Sequence, residues 1–387
     1  MKPINYFQPT EIRFGCGRIN ELGDVVKRFG IKCLIVTTPE FPEIAPLYAK
    51  VKKLLTESGI KWDHFDQVQP NPTTENISAG AQTARELGAE VVLGLGGGSS
   101  MDSAKAIAVE AKHQGTAWDY LFFKNQPTEK TLPIISVSTT SGTGSHVTQV
   151  AVVTETATRT KSAIYNSIVF PKVSIVDPEL MLTVPEHVTA STGWDVFCHA
   201  FESCIHANTN PYIHLMGMEA IRLVIKNLPN LVNDLKNIDA RTEMALADTF
   251  AGLCIANAGV TLPHGIGMAI GGMYPHIAHG ETLALVYPAF SRFTWPAAVK
   301  EFAALGRAFN PAFKEVPDEV AAEKSCEEID MFLKKIGMWM SLKDKGMPEN
   351  EIPKLAEASM VLPDYKSNPR VATKNEMLEI IKQSYQR

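Results

Sequence analysis

The side chains best suited to chemistry are one carboxylate and three imidazoles in the second half of the chain. Asp195 and His199 stand four residues apart in an apolar segment that is predicted to be helical. At about 3.6 residues per turn, this spacing places both side chains on one helical face. His264 and His279 lie in a glycine-rich segment, where the backbone can approach closely and simple core packing is unusual. Three nitrogen donors and one carboxylate suit a divalent metal such as Fe(II) or Zn(II).

Two alternatives apply to this ligand set. An Asp-x-x-x-His pair on a helix is more often an ordinary hydrogen-bonded pair than half of a metal site. His276 is as able to bind a metal as His279, and spacing alone does not decide between them. The second pair of imidazoles nevertheless favours the metal site over the hydrogen-bonded pair.

A second candidate site lies in the first half of the chain, where a predicted strand at residues 91–95 meets a predicted helix. Between them stand three consecutive glycines, Gly96, Gly97 and Gly98. Such a turn allows backbone N–H groups to point at a pyrophosphate beside the positive end of a helix. Asp102 follows Ser99 at the spacing of a helix N-cap and its N3 partner, so a capping box would explain it as well. Capping does not explain the three glycines, and a phosphate loop is the preferred interpretation.

A polar run follows the next predicted strand, residues 133–137. Its hydroxyl-bearing residues are Ser138, Thr139, Thr140, Ser141, Thr143 and Ser145. Hydroxyls at a strand end suit hydrogen bonds to ribose, phosphate or carboxamide, and they equally suit turns that cap the loop itself. Position favours a binding role, because ligands of open α/β sheets lie beyond the carboxyl ends of the strands.

Two different architectures are predicted to position these sites. In the first half, short β-branched runs alternate with amphipathic stretches, which predicts βαβ units and a mostly parallel, covered sheet, with an extended insertion near residues 147–169. After Pro185, helical periodicity dominates. Helices are expected over residues 185–206, 212–227, 240–258, 297–309, 320–336, 349–360 and 374–385. We therefore predict a Rossmann-like α/β dinucleotide-binding domain over residues 1–182 and an all-α metal-binding domain over residues 183–387.

The composition excludes several classes of partner. Of the 387 residues, 45% are hydrophobic and 20% charged, which is ordinary for a globular protein. The net charge of −5 and the lack of a basic run argue against nucleic acid and anionic membranes. No apolar stretch is long enough to span a bilayer, and the N-terminus lacks the apolar run of a signal peptide. The six cysteines form no C-x-x-C pair, which indicates reduced thiols and a cytoplasmic location.

Taken together, these residues resemble the iron-containing alcohol dehydrogenases, the group III family that includes lactaldehyde reductase and the butanol and 1,3-propanediol dehydrogenases. Single motifs are not specific, but the ordered set runs nearly from end to end. It includes Pro70-Asn71-Pro72-Thr73, Gly96-Gly97-Gly98-Ser99 with Asp102 and Lys105, Thr139-Thr140-Ser141-Gly142-Thr143, Thr192-Gly193-Trp194-Asp195 with His199, Pro263-His264-Gly265 and His279-Gly280-Glu281.

The resemblance implies a dehydroquinate synthase-like architecture, with an N-terminal dinucleotide domain, a C-terminal helical domain and the active site in the cleft between them. It implies a catalytic Fe(II), replaced by Zn(II) in some relatives, and it favours His279 over His276. The implied metal ligands are Asp195, His199, His264 and His279. The implied reaction is reversible hydride transfer between NAD(P)(H) and a small primary alcohol or aldehyde, in which the metal polarises the aldehyde oxygen or stabilises the alkoxide.

The resemblance also implies NAD or NADP as the cofactor. The candidate cofactor-binding residues are Gly96, Gly97, Gly98, Ser99, Asp102, Thr139, Thr140, Thr143 and Lys161. NAD-preferring relatives tend to carry an acidic residue after the second main strand, where a carboxylate holds the ribose 2′-hydroxyl and repels a 2′-phosphate. Thr38 occupies this place, with Glu40 two residues later. Thr38 therefore joins the candidates, and its neutral side chain gives a small preference for NADP.

The sequence departs from the family pattern at two positions, and the family's residue roles do not apply there. Met268 stands where relatives often have a histidine near the nicotinamide, so no protein acid or base is assigned to proton transfer. His146 replaces the glutamate that usually follows the Gly-Thr-Gly-Ser run and is left unassigned.

Relatives are commonly dimers or larger, and a predicted edge strand at residues 6–14 would allow pairing across a two-fold axis.

Two other functions are alternatives for this sequence. A sugar-phosphate cyclase or lyase of the dehydroquinate synthase type shares the fold and also uses NAD and a metal. It would need Lys and Arg around the metal to bind phosphate, and residues 255–270 contain neither. A non-catalytic nucleotide-binding protein is the other alternative, and four intact ligand candidates argue against it.

Overall fold

The computed structural model describes residues 4–121 and 124–387, which divide into two compact units. The α/β unit contains Phe7–Pro185 together with Leu235–Ala245. The helical unit contains Glu186–Asp234 and Leu246–Arg387, together with the described residues up to Tyr6. The chain thus returns to the α/β unit for a short segment after it has entered the helical unit.

A parallel sheet forms the centre of the α/β unit. The strands are β1 Glu11–Phe14, β2 Lys32–Val36, β3 Lys61–Phe65, β4 Val91–Gly96, β5 Ile134–Ser138, β6 Val150–Glu155, β7 Thr160–Tyr165 and β8 Val173–Val176. Six of them form one sheet in the order β1-β8-β5-β4-β2-β3, and every neighbouring pair in it is parallel. Strands β6 and β7 form a separate antiparallel hairpin, which is the predicted extended insertion. The parallel sheet expected from the alternation of elements is confirmed.

Helices cover both faces of this sheet. They are α1 Leu22–Lys27, α2 Ala45–Glu57, α3 Thr74–Leu87 and α4 Gly98–Glu110. Leu34 and Val36 of β2 pack into one hydrophobic cluster, and Cys33 and Ile35 pack into the other. Successive side chains of a strand point to opposite faces, so a strand covered on both sides must be continuously apolar.

The helical unit consists of packed helices. They are α5 Glu186–Ile205, α6 Pro211–Leu231, α7 Ile238–Asn257, α8 Leu262–Met273, α9 His279–Thr294, α10 Val299–Phe309, α11 Asp318–Lys335, α12 Ile352–Ala358 and α13 Lys374–Tyr385. The first residues of α7 belong to the short segment in the α/β unit. Among the described helices none is long and apolar enough to span a membrane alone, whereas α7 and α8 qualify by length and composition if counted together, with a 99° bend between them.

Helices α8 and α9 were not predicted, and both carry residues that disfavour helices. Pro288 lies inside α9, and because proline has no N–H, the carbonyl of Ala284 lacks its usual helical donor. The guanidinium of Arg387 lies 3.3 Å from this carbonyl and also donates to the carbonyl of Leu285. A side chain from the end of the sequence therefore satisfies the backbone where the proline interrupts the helix.

Candidate metal centre and cofactor loops

The four predicted metal ligands come from three helices of the helical unit. Asp195 and His199 lie on α5, His264 is the third residue of α8 and His279 is the first of α9. The Nε2 atoms of His199 and His264 each lie 3.6 Å from Asp195 Oδ1, and that of His279 lies 4.0 Å from it. Atoms bound at about 2.0–2.2 Å to one tetrahedral ion are about 3.3–3.6 Å apart. The structure brings the three imidazole nitrogens to nearly this distance from Asp195 Oδ1.

Three of the four form the tightest group. One ligand atom each of Asp195, His199 and His264 lies within 4.8 Å of the others, and all three residues are buried. The side chain of His279 is more open, with 25% of its surface exposed. His276, the alternative to His279, is exposed, and its Nε2 lies 3.4 Å from the carbonyl of Lys345.

Two buried polar atoms in this group have no hydrogen-bond partner in the described part of the chain. They are Oδ1 of Asp195 and Nε2 of His264. Leaving buried polar atoms unsatisfied costs free energy, so such atoms usually have a partner. A cation shared by both atoms would supply it. The donor chemistry and the two unsatisfied atoms therefore fit a divalent metal.

The electrostatics of the group also favour a cation. Burial alone would raise the pKa of Asp195, but the neighbouring histidines hold it well below its ordinary value. Burial alone would lower the pKa of His264, but the carboxylates of Glu202 and Asp195 raise it to about 10. The site thus attracts positive charge, and a metal would compete with a proton for it.

Glu202 is a site residue that the sequence reasoning missed. It is fully buried on α5, and its Oε1 lies 2.8 Å from His264 Nδ1. It stands seven residues after Asp195 and three after His199, a spacing that keeps all three side chains on one helical face. This periodicity was a usable signal, because a carboxylate beside two ligand candidates suits a partner for a histidine ring.

The first turn of α9 packs tightly against α5. A Cβ atom added to Gly280 would lie 2.0 Å from the carbonyl oxygen of Ser191. Backbone atoms cannot give way as a flexible side chain can, so this contact requires glycine. Because Gly280 follows His279 directly, the same contact fixes where that imidazole enters the site.

Gly280→Ala is expected to destabilise the protein by about 1–3 kcal/mol or more, because the added methyl group forces α9 away from α5. Thermal unfolding measures the loss, and zinc titration measures the expected weakening of metal binding. Gly265→Ala is the matched control. It adds the same methyl group beside another ligand candidate, His264, where the nearest atom would be 3.6 Å away. Equal melting temperatures for the two variants would contradict the packing argument.

The candidate cofactor loops of the α/β unit follow adjacent strands. In the sheet, β4 pairs with β5 on one side and with β2 on the other. The glycine run spans the last residue of β4 to the first residue of α4, Thr139 follows β5, and Thr38 lies just beyond the end of β2. Because the strands are parallel, their carboxyl ends meet at one edge of the sheet, where open α/β sheets bind ligands.

The glycines allow two of these loops to touch. Thr139 donates its backbone N–H to the carbonyl of Gly96 at 3.0 Å. A Cβ atom added to Gly97 would lie 3.2 Å from Thr140 Oγ1, and one added to Gly98 would lie 2.5 Å from Thr143 Cγ2. Larger residues in the run would separate the loop after β4 from the loop after β5.

The start of α4 corrects one sequence-based alternative. The N-cap is Gly97, which has no side chain to cap the helix, and Ser99 already lies in the first turn. The proposed capping box of Ser99 and Asp102 is therefore wrong. The carboxylate of Asp102 instead accepts hydrogen bonds from Ser145 Oγ at 2.6 Å and from Val152 N at 3.0 Å.

Lys105, one turn beyond Asp102, is fully buried, which the sequence reasoning did not anticipate. Its ammonium donates to the carbonyls of Ser145 and Val150, each at 2.7 Å. Burial lowers the pKa of Lys105 to about 8. The lysine and the aspartate together hold the segment 145–152 against α4, so Asp102 anchors that segment to the helix.

The remaining predicted residues make further contacts of their own. Thr38 Oγ1 is 3.1 Å from the hydroxyl of Tyr48, and Lys161 Nζ donates to Asn71 Oδ1 at 2.9 Å. His146 is fully buried, and burial with the nearby lysine lowers its pKa to about 3, so the ring is neutral. Met268 lies half-buried on α8.

Comparison with known proteins gives matches along nearly the whole chain. The profile "Iron-containing alcohol dehydrogenase" matches residues 9–178, and the profile "Fe-containing alcohol dehydrogenase family, C-terminal" matches residues 189–385. The NAD-dependent methanol dehydrogenase of Bacillus methanolicus is 31% identical, with 98% of this chain and 99% of that protein covered. The 1,3-propanediol dehydrogenase of Klebsiella pneumoniae is 33% identical, with 99% and 97% covered.

Comparison with solved structures shows that the fold is also similar. The crystal structure of an archaeal halo-thermophilic alcohol dehydrogenase from a Red Sea brine pool superposes with a TM-score of 0.94 at 33% identity. The match covers 99% of this chain and 100% of that chain.

Proposed function

This chain belongs to the iron-containing alcohol dehydrogenase family, and on that premise we propose that it transfers a hydride between a nicotinamide dinucleotide and a small primary alcohol or aldehyde. The observation that carries the proposal is the arrangement of three imidazole nitrogens within 4.0 Å of one buried carboxylate oxygen, Oδ1 of Asp195. Family membership favours this dehydrogenase function over the cyclase and over a non-catalytic nucleotide-binding protein.

We propose Fe(II), with Zn(II) as the alternative, for the site formed by Asp195, His199, His264 and His279. Bound there, such an ion supplies a Lewis acid that polarises the oxygen of the substrate. The protein contributes the geometry and the charge. Asp195 is ionised at neutral pH because its pKa lies well below the ordinary value. Burial of three of the four side chains excludes water and strengthens every electrostatic interaction in the site.

NAD or NADP is proposed to lie on the loops after β4 and β5, with Thr38 and Lys161 as further contacts. No side chain caps the start of α4 at Gly97, which leaves backbone N–H groups available to a pyrophosphate. We propose that the hydroxyls of Thr139, Thr140 and Thr143 bind the ribose, a phosphate or the carboxamide. The cofactor supplies or accepts the hydride, and the protein's task is to hold it in position.

The small preference for NADP stays a proposal that depends on Thr38. No carboxylate follows β2 directly, and Glu40 is exposed. The hydroxyl of Thr38 faces Tyr48 rather than an acid, so a 2′-phosphate would meet no fixed negative charge from this residue. Against the preference, the Bacillus methanolicus relative is described as NAD-dependent.

One assay tests the proposed reaction, its metal and its cofactor. Purified protein is mixed with NADH or NADPH and a series of short aldehydes that begins with butanal, and absorbance at the nicotinamide band is followed. We expect oxidation of the cofactor, loss of turnover on chelation, and recovery with Fe(II) or Zn(II). No turnover with any aldehyde would contradict the reaction class, and full activity in metal-free protein would contradict the metal. A strong preference for NADH would remove the case for NADP.

A further inference from the structure

We propose that Glu202 is a positioning residue, which holds the ring of His264 so that Nε2 faces Asp195 Oδ1. The inference rests on the proposed metal centre and extends it to a residue that need not touch the metal. Glu202 is fully buried, and it shares one face of α5 with Asp195 and His199. A single helical face thus carries two ligand candidates and the carboxylate that orients a third.

Both oxygens of this carboxylate are occupied. Oε1 lies 2.8 Å from His264 Nδ1. Oε2 accepts from the backbone N–H of Thr261 at 2.8 Å and from its hydroxyl at 3.3 Å. Thr261 is the N-cap of α8, and His264 is the third residue of that helix. Glu202 therefore fixes both the start of α8 and the imidazole that α8 presents.

The acceptor chemistry of Glu202 determines the tautomer of His264. An ionised carboxylate has no proton to donate, so Nδ1 of His264 must carry the hydrogen in this contact. When the second ring proton is displaced, the lone pair therefore lies on Nε2, the atom 3.6 Å from Asp195 Oδ1. Metal-binding histidines commonly donate their second nitrogen to a carboxylate in this way, and removing that partner weakens metal binding by about 10- to 100-fold.

A glutamine at position 202 cannot reproduce both contacts. Its amide has one acceptor oxygen, whereas the ring N–H of His264 and the backbone N–H of Thr261 both need an acceptor. If the oxygen serves Thr261, the amide NH2 faces Nδ1, and the hydrogen of the ring moves to Nε2, where it blocks metal binding. If the oxygen serves His264, the N–H of Thr261 remains buried without an acceptor, which costs free energy.

The test compares metal-free wild-type protein with Glu202→Gln and Thr261→Val in zinc titrations against a chromophoric chelator. We expect Glu202→Gln to bind zinc about 10- to 100-fold more weakly. Thr261→Val removes only the longer hydroxyl contact and keeps the backbone N–H, so its affinity should stay close to wild type. With Co(II) in place of zinc, the visible spectrum should change in Glu202→Gln, because an imidazole leaves the ion, and should not change in Thr261→Val.

Several outcomes would overturn the proposal. Wild-type affinity and spectrum in Glu202→Gln would show that His264 needs no carboxylate. Equal losses in both variants would assign the effect to the start of α8 instead. If circular dichroism shows that Glu202→Gln does not fold, Glu202→Asp is tested in its place. This variant keeps both acceptor oxygens but withdraws them from His264. Wild-type zinc affinity in Glu202→Asp would also overturn the proposal. Absence of zinc binding by wild-type protein would refute the metal centre itself.

Discussion

Asp195→Asn is expected to abolish metal binding and to lower turnover by roughly three orders of magnitude or more. The Oδ1 atom of Asp195 lies within 4.0 Å of the Nε2 atoms of all three histidines. An amide has nearly the same shape as the carboxylate but no charge, so the variant removes the anion and leaves the packing in place. Losing a Lewis acid costs several kcal/mol of transition-state stabilisation, and each ~1.4 kcal/mol is a factor of ten in rate.

Metal content of the purified variant and its aldehyde-reduction rate are the two measurements. His276→Ala is the matched control, because His276 is the neighbouring imidazole that is exposed and faces Lys345. We expect that control to retain metal and activity. Retention of both by Asp195→Asn would contradict the proposed ligand set. Loss of metal in His276→Ala with retention in His279→Ala would move the fourth ligand to position 276.

The regular elements of the α/β unit were predictable because their signals are local. Helix α3, Thr74–Leu87, is one of the amphipathic stretches predicted to alternate with strands in the first half of the chain. The side chain of Thr73 caps its start by accepting from Asn76 N, and Gly88 ends it in the left-handed conformation. Both signals lie within one turn of the helix, so no knowledge of distant residues was needed.

Helices α8 and α9 could not be predicted in the same way. α8 contains four glycines, and α9 contains Pro288, so helix propensity argues against both. Their stability comes from residues far away in the sequence. Arg387 satisfies the carbonyl at the proline, and Gly280 permits close packing on α5. Tertiary contacts outweigh helix propensity in α8 and α9, and a local sequence pattern contains no information about those contacts.

The candidate sites show the same difference between local signals and long-range contacts. The pair Asp195 and His199 followed from helical spacing, and the glycine run followed from the junction of strand and helix. The choice of His279 over His276 came from the family resemblance, because it depends on how α9 folds back onto α5. The anchoring role of Asp102 was missed for the same reason, since its partners lie more than forty residues away.

Gly98→Ala is expected to weaken dinucleotide binding by about 10- to 100-fold. The added Cβ would lie 2.5 Å from Thr143 Cγ2 and 2.8 Å from Thr143 Oγ1, so the loops after β4 and β5 must move apart. Overpacking of this kind costs about 1–3 kcal/mol, which corresponds to the expected change in affinity. Fluorescence titration with NADH and NADPH measures the affinity, and thermal unfolding shows whether the variant remains folded.

A second substitution identifies the contact that is responsible. Thr143→Ser keeps the hydroxyl but removes the Cγ2 methyl group, which is the nearest atom to the added Cβ. Alone it should change affinity little, whereas combined with Gly98→Ala it should recover part of the lost binding. Residues in contact show such non-additivity, while independent sites add. Additive losses in the double variant would mean that Gly98 is required by the cofactor or by the backbone of α4, and not by the approach of the two loops.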